Sequence, residues 1–125
     1  MTSNTDTAAI AAPMDLIPPE TKAALNAAHG PCVAVRTKAG VFAFRVATSA
    51  EYDRYTAMIH DEKKRPKASE NLCRQCVVYP GSDARAALVT FDAAIKRWPG
   101  IVMTCGNHLV EHCGFDAEAD VGKDD

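Results

Sequence analysis

Between Val41 and His60 the apolar pattern changes period. Val41 to Val46 is β-branched and aromatic and reads as a short strand. Thr48 then offers a side-chain oxygen at a helix N-cap, and Glu51 stands three residues on, where a capping-box partner belongs. Tyr52, Tyr55 and Ile59 follow at spacings of three and four, which makes one helical face. A strand that feeds directly into a capped helix constrains its neighbours. The strand needs a partner upstream, and the helix needs packing from downstream. No residue of this stretch has an obvious catalytic role.

Upstream, Pro18-Pro19-Glu20 opens a short helix, with proline in the first turn and an early acid suited to the helix dipole. Ala23, Ala24, Leu25, Ala27 and Ala28 continue it, and Gly30 stops it. Cys32 to Arg36 reads as a strand, Thr37-Lys38-Ala39-Gly40 as a turn, and Val41 to Val46 as the returning strand. A lone hairpin is marginal in water, so a helix must cover one face.

Downstream, the charged connector from Asp61 to Lys67 leads to a helix started by Pro66. Ala68, Leu72, Cys73 and Cys76 share one face, and Val77-Val78-Tyr79 extends that apolar run until Pro80-Gly81 ends it. Ser82 or Asp83 caps the next helix, whose stripe is Ala87, Leu88, Phe91, Ile95 and Trp98. After Trp98-Pro99-Gly100 a last helix runs from about Ile101 to Cys113, with Val102, Cys105, Leu109 and Cys113 inward and Gly114 as its C-cap glycine. The expected fold is α+β, mostly α: a short N-terminal helix, one β-hairpin, then about four packed helices. Its expected core joins Leu88, Phe91, Ile95 and Trp98 to Tyr52, Tyr55 and Leu72.

At 125 residues the chain is long enough for one core. Residues 1–15, polar and Ala-rich, are expected as a disordered tail. Residues 16–115 form the single globular domain, and 116–125 an acidic tail. A net charge of −2 offers no general basic field for nucleic acid. No apolar run approaches the roughly 20 residues that cross a bilayer. The N-terminus lacks the basic and apolar regions of a secretory signal. Five cysteines, an odd number without an export signal, point to reduced thiols in a cytosol.

Cys73-x-x-Cys76 and Cys105-x-x-His108-x-x-x-His112-Cys113 supply thiol and imidazole groups of the kind zinc prefers. A site of Cys73, Cys76, His108 and His112 would need the two helices to be neighbours. Against it, the thiols lie inside a helical pattern, and free cysteine usually packs as a small hydrophobe. A redox dithiol is also a poor fit, because the pair falls late in its helix and Arg74-Gln75 separates the thiols. There is no Gly-rich phosphate loop, no His-Glu-x-x-His and no Gly-x-Ser-x-Gly. The expectation is therefore a protein that is not an enzyme and has no cofactor, with the zinc set as the alternative.

The order of motifs resembles small tail assembly chaperone-like proteins of long-tailed bacteriophages over roughly Leu16 to Phe115. The residues that carry the resemblance begin with Lys22-x-x-Leu25, His29-Gly30 and a hairpin with Phe42-x-Phe44-Arg45. Thr48-x-Ala50-Glu51-Tyr52-x-Arg54-Tyr55, Glu70-x-Leu72 and Cys76-Val77-Val78-Tyr79-Pro80 follow. Phe91, Trp98-Pro99-Gly100 and a closing helix to Gly114 complete the order. Val46-Ala47 stands where a proline is expected after Phe-Arg, and the C-terminal cysteines and histidines are unusual. The resemblance implies a non-enzymatic chaperone that binds a tape-measure or other phage tail protein in the cytoplasm of a bacterial host. The implied partners include no nucleic acid and no membrane, and self-association stays open. A virion-associated structural tail protein, or a small zinc- or thiol-dependent regulator, is the alternative. The expected contact residues are Met58, Ile59, Val102 and Met103, rimmed by Lys63, Lys64 and Arg65. Methionine adapts to varied partners, and rim cations tune association.

Overall fold

The computed structural model of the protein describes residues 16–114. The expected tails, 1–15 and 116–125, lie outside the described residues. Helix α1 spans Pro19–His29, strands β1 and β2 span Cys32–Thr37 and Gly40–Arg45, and helix α2 spans Ser49–Ile59. A 3-10 turn at Arg65–Lys67 leads into α3 at Ala68–Cys76, followed by β3 at Val77–Tyr79. Helices α4 at Ala84–Arg97 and α5 at Ile101–His112 complete the order. The fold is α+β and mostly α, as the sequence predicts.

Local chemistry sets the early elements. Thr37 Oγ1 accepts from the Ala39 N–H at 3.0 Å and donates to the Gly40 carbonyl at 2.8 Å, which closes the hairpin turn. Gly40 has φ +119°, a region that side-chain-bearing residues rarely adopt. Both halves of the capping box at α2 are present: Glu51 N donates to Thr48 Oγ1, and Thr48 N donates to Glu51 Oε1. At α4, Asp83 is the cap, its side chain accepting from Ala86 N at 2.8 Å.

The sheet has one strand more than the sequence reading supplied. Val77–Tyr79 does not extend α3; it leaves the helix, with Val77 extended at φ −67° and ψ 131°, and pairs antiparallel with β2. The strand order is β1-β2-β3. Two β-branched residues favour the extended state, and Pro80 biases the residue before it the same way.

Period-two alternation splits the sheet between two clusters. Val33, Val35, Phe42, Phe44 and Val77 face α3, α4 and α5. Cys32, Ala34, Ala43 and Val78 face the other way, where Ile17, just before α1, and Leu25 of α1 cover them. The centre of the main core is Phe91 of α4, edge-on to Phe42 at 5.1 Å and to Phe44 at 5.6 Å between ring centroids. Leu72, Cys73, Cys76, Cys105 and Leu109 fill the space around it.

This shifts the core from its expected place. Tyr55, Leu88, Ile95 and Trp98 pack half-buried at its edge, and Tyr52 stacks outside it against Tyr55 at 5.7 Å. The strand phenylalanines take the middle because they carry no hydroxyl that would need a partner there.

Helices α3 and α5 approach closely where the Ser69 side chain lies against Gly106. A Cβ on Gly106 would stand 2.9 Å from Ser69 Cβ and 3.1 Å from Ser69 Oγ. Gly106→Ala should therefore destabilise by about 1–3 kcal/mol, although alanine is the better helix former. Ser69→Gly in the same chain should recover part of the loss, read as a coupling energy in a urea double-mutant cycle. A neutral or stabilising Gly106→Ala would show that the two helices have slack.

Candidate functional site

Arg45, the last residue of β2, joins three elements. Its Nη1 and Nη2 donate to Glu51 Oε1 and Oε2 at 2.9 Å each. Nη2 also donates to the Gln75 carbonyl at 2.8 Å, and Nη1 to the Val46 carbonyl at 3.2 Å. The fork of the guanidinium thus ties the end of the sheet to the start of α2 and the last turn of α3. The pair is three-quarters shielded, with side-chain exposures of 23% and 20%.

Electrostatics follow from that geometry. The Arg45 hydrogen bonds hold the Glu51 carboxyl down at about 2, helped by the Thr48 N–H. Cys76 Sγ lies 3.9 Å from Glu51 Oε1, and burial pushes its thiol up to about 12 despite Arg45. Burial also pushes Cys105 up to about 12 and raises Cys73 strongly. These thiols stay protonated, and the protonated thiol is a weak nucleophile and metal ligand. Arg45 and Glu51 form a structural tie between β2, α2 and α3.

The candidate zinc residues have different surroundings. Cys73 and Cys76 are buried, His108 is exposed, and His112 is half-buried with Nε2 unpartnered among the described residues. Among those residues no three His, Cys, Asp or Glu side chains are placed to hold one metal ion.

The expected contact residues separate into two groups. Met58 lines an open hollow of about 320 Å³ between α2 and α3, with Lys67, Glu70, Asn71 and Arg74. Asn71 Nδ2 donates to Met58 Sδ at 3.4 Å. Arg74 is held by a two-pronged pair with Asp92 at 2.8 and 3.0 Å. Lys63, Lys64 and Arg65 are exposed in the connector after α2, and Arg65 Nε donates to the Ile59 carbonyl at 2.7 Å. Ile59 is half-buried. Val102 and Met103, on the first turn of α5, do not line this hollow, and Met103 is 61% exposed.

The Arg45 tie escapes a reading of the sequence because Glu51 already has a local role as capping-box acid. The available signal is an arginine that ends a strand six residues before that acid. A second hollow, around Trp98, was also hidden, since its cations come from separate elements.

Fold and site together define a small, mostly helical α+β domain with a polar tie at Arg45, one hollow between α2 and α3 and another between the hairpin and the start of α5. The chain belongs to the family described as a domain of unknown function, DUF6848, which matches residues 33–122. No curated protein and no solved structure matches it significantly. Among the described residues no helix is long and apolar enough to cross a membrane.

Two outcomes follow. The folded pKa of Glu51 lies below its ordinary 4.5, so its stabilising effect is full above that pH and is lost as pH falls toward about 2. Glu51→Gln should flatten the pH dependence of the urea midpoint across this window, and an unchanged slope would contradict the tie. In native protein, alkylation should reach half-exposed Cys113 first, with Cys32, Cys73, Cys76 and Cys105 protected until unfolding. Mass mapping that finds Cys73 or Cys105 modified first would contradict the packing.

Proposed function

We propose that this protein is a non-enzymatic assembly chaperone of a long-tailed bacteriophage, which binds a tape-measure-like protein while the tail tube assembles. The observation that carries the reading is the Met58 hollow. It is a cleft between two helices in which the Met58 thioether stands among Lys67, Glu70, Asn71 and Arg74, with Lys63, Lys64 and Arg65 close by in sequence. Grooves between helices accept an amphipathic helix through spaced apolar anchors. A tape measure exposes such stripes until the tube covers it. The order of motifs from Lys22 to Gly114 supports the same reading.

Recognition then divides by chemistry. Met58 and Ile59 supply adaptable apolar contact, and the connector cations steer encounter. Met103 offers a further apolar contact beyond the cleft.

Co-expression with tape-measure fragments, followed by pull-down, tests the reading. Wild-type protein should retain a fragment, and Met58→Asp should weaken retention by about tenfold or more while the circular dichroism spectrum stays unchanged. Reversing Lys63, Lys64 and Arg65 to Glu should slow association and change its salt dependence. A folded wild-type sample that retains no fragment of its own tape measure would reject the chaperone role. Recovery only in particles, beside tube or baseplate subunits, would favour a structural tail component.

A further inference from the structure

Three cations gather around the chain's single tryptophan. Lys38, in the hairpin turn, places Nζ over the Trp98 ring at 5.5 Å from its centroid, and Arg97 places Cζ over it at 5.5 Å. Arg36, two residues before Lys38 on β1, lines the same hollow. None of the three forms an ion pair among the described residues. The whole chain carries 16 acidic and 14 basic residues, so a local excess of three cations is not a reflection of composition. The indole quadrupole holds ammonium and guanidinium groups near its ring without neutralising them.

The hollow has a volume of about 460 Å³, within the range that takes a ligand or an anchoring side chain. Pro99, Gly100 and Ile101 supply an apolar lining, and Ile101 is only 6% exposed. Thr104, on the next turn of α5, adds a hydroxyl. The first N–H groups of α5 are already engaged: Ile101, Val102 and Met103 donate to the carbonyls of Trp98, Pro99 and Gly100 at 3.1 to 3.3 Å. The backbone therefore provides no open cradle for a bare phosphate. The indole that a nucleobase would stack on already carries two cations. What remains is an apolar lining with positive side chains beside it. Its complement is an apolar side chain flanked by carboxylates.

We infer that the Trp98 hollow is a docking site for an acidic peptide segment of a partner protein, with an apolar residue seated against Pro99 and Ile101 and its neighbouring carboxylates on Arg36 and Lys38. The site is distinct from the Met58 cleft, shares none of its lining residues, and does not depend on the partner being a tape measure.

Trp98 is the only tryptophan, so its emission reports this hollow alone. The probe is a synthetic helical peptide in which one Leu is flanked by Glu at helical spacing. Titration into the full-length protein should give a saturable change in emission that weakens as salt rises. Arg36→Glu with Lys38→Glu should weaken binding about tenfold or more, and Thr104→Glu should do the same without removing a cation. All three positions are exposed, and the circular dichroism spectrum checks that the fold survives. Replacing the peptide's Leu by Ser should also weaken binding. No saturable change with the wild-type protein would overturn the proposal, as would equal affinity in the charge-reversed variants. Tighter binding of inorganic phosphate or of an oligothymidylate than of the peptide would also overturn it, because the hollow would then be a site for phosphate groups.

Discussion

The structure depends on one ring inserted between two others. Phe91 projects from α4 against Phe42 and Phe44 of β2, edge-on to both, at 76° and 83° between ring planes. Edge-to-face contact sets the positive rim of one ring against the negative face of another, so it fixes angle as well as distance. A hairpin alone is marginal in water, and β3 adds only three residues to it. Docked on Phe91 it gains a buried face, and the helix gains a flat surface to lie on. The remaining core residues, including three cysteines acting as small apolar groups, fill the gaps left by this arrangement.

Polar groups then hold the edges of that core. Arg45 meets Glu51, the Gln75 carbonyl and the Val46 carbonyl, so the end of β2, the start of α2 and the end of α3 share one guanidinium. A lysine would offer one charged point there and could not reproduce the planar fork. Glu51 has two duties, as the capping-box acid and as the partner of Arg45. The start of α2 is thereby coupled to tertiary contacts and not only to its own propensity.

What was legible in the sequence was local. The hairpin, the capping box at Thr48 and Glu51, the α4 stripe and the α5 boundaries all depend on residues within a turn or two of each other. Strand β3 was hidden because three residues, Val77 to Tyr79, gain their meaning only from pairing with β2 far upstream. The central role of Phe42 and Phe44 was hidden for the same reason: a period-two pattern shows that one face is buried but not what covers it. Tyr52 and Tyr55 were misplaced because helical spacing identifies a face without showing how deep that face lies. Of the expected contact residues, Met58 lines a hollow, whereas the environment of Trp98 depends on Arg36, Lys38 and Arg97 converging from different elements.

The contact of Gly106 with Ser69 has a mechanical consequence. Where two helices touch through long side chains, rotamer changes let them slide, and a load on one is partly absorbed before it reaches the other. Here the contact is made by the short Ser69 side chain against a residue with none, which leaves little such cushion at that point. Helices α3 and α5 have little room to slide at that point. The Met58 cleft is built partly on α3, and the Trp98 hollow partly on α5. Both therefore draw on helices that meet at the contact of Gly106 with Ser69. A substitution that pushes these helices apart at Gly106 would therefore be felt in the lining of both hollows, although neither hollow contains Gly106.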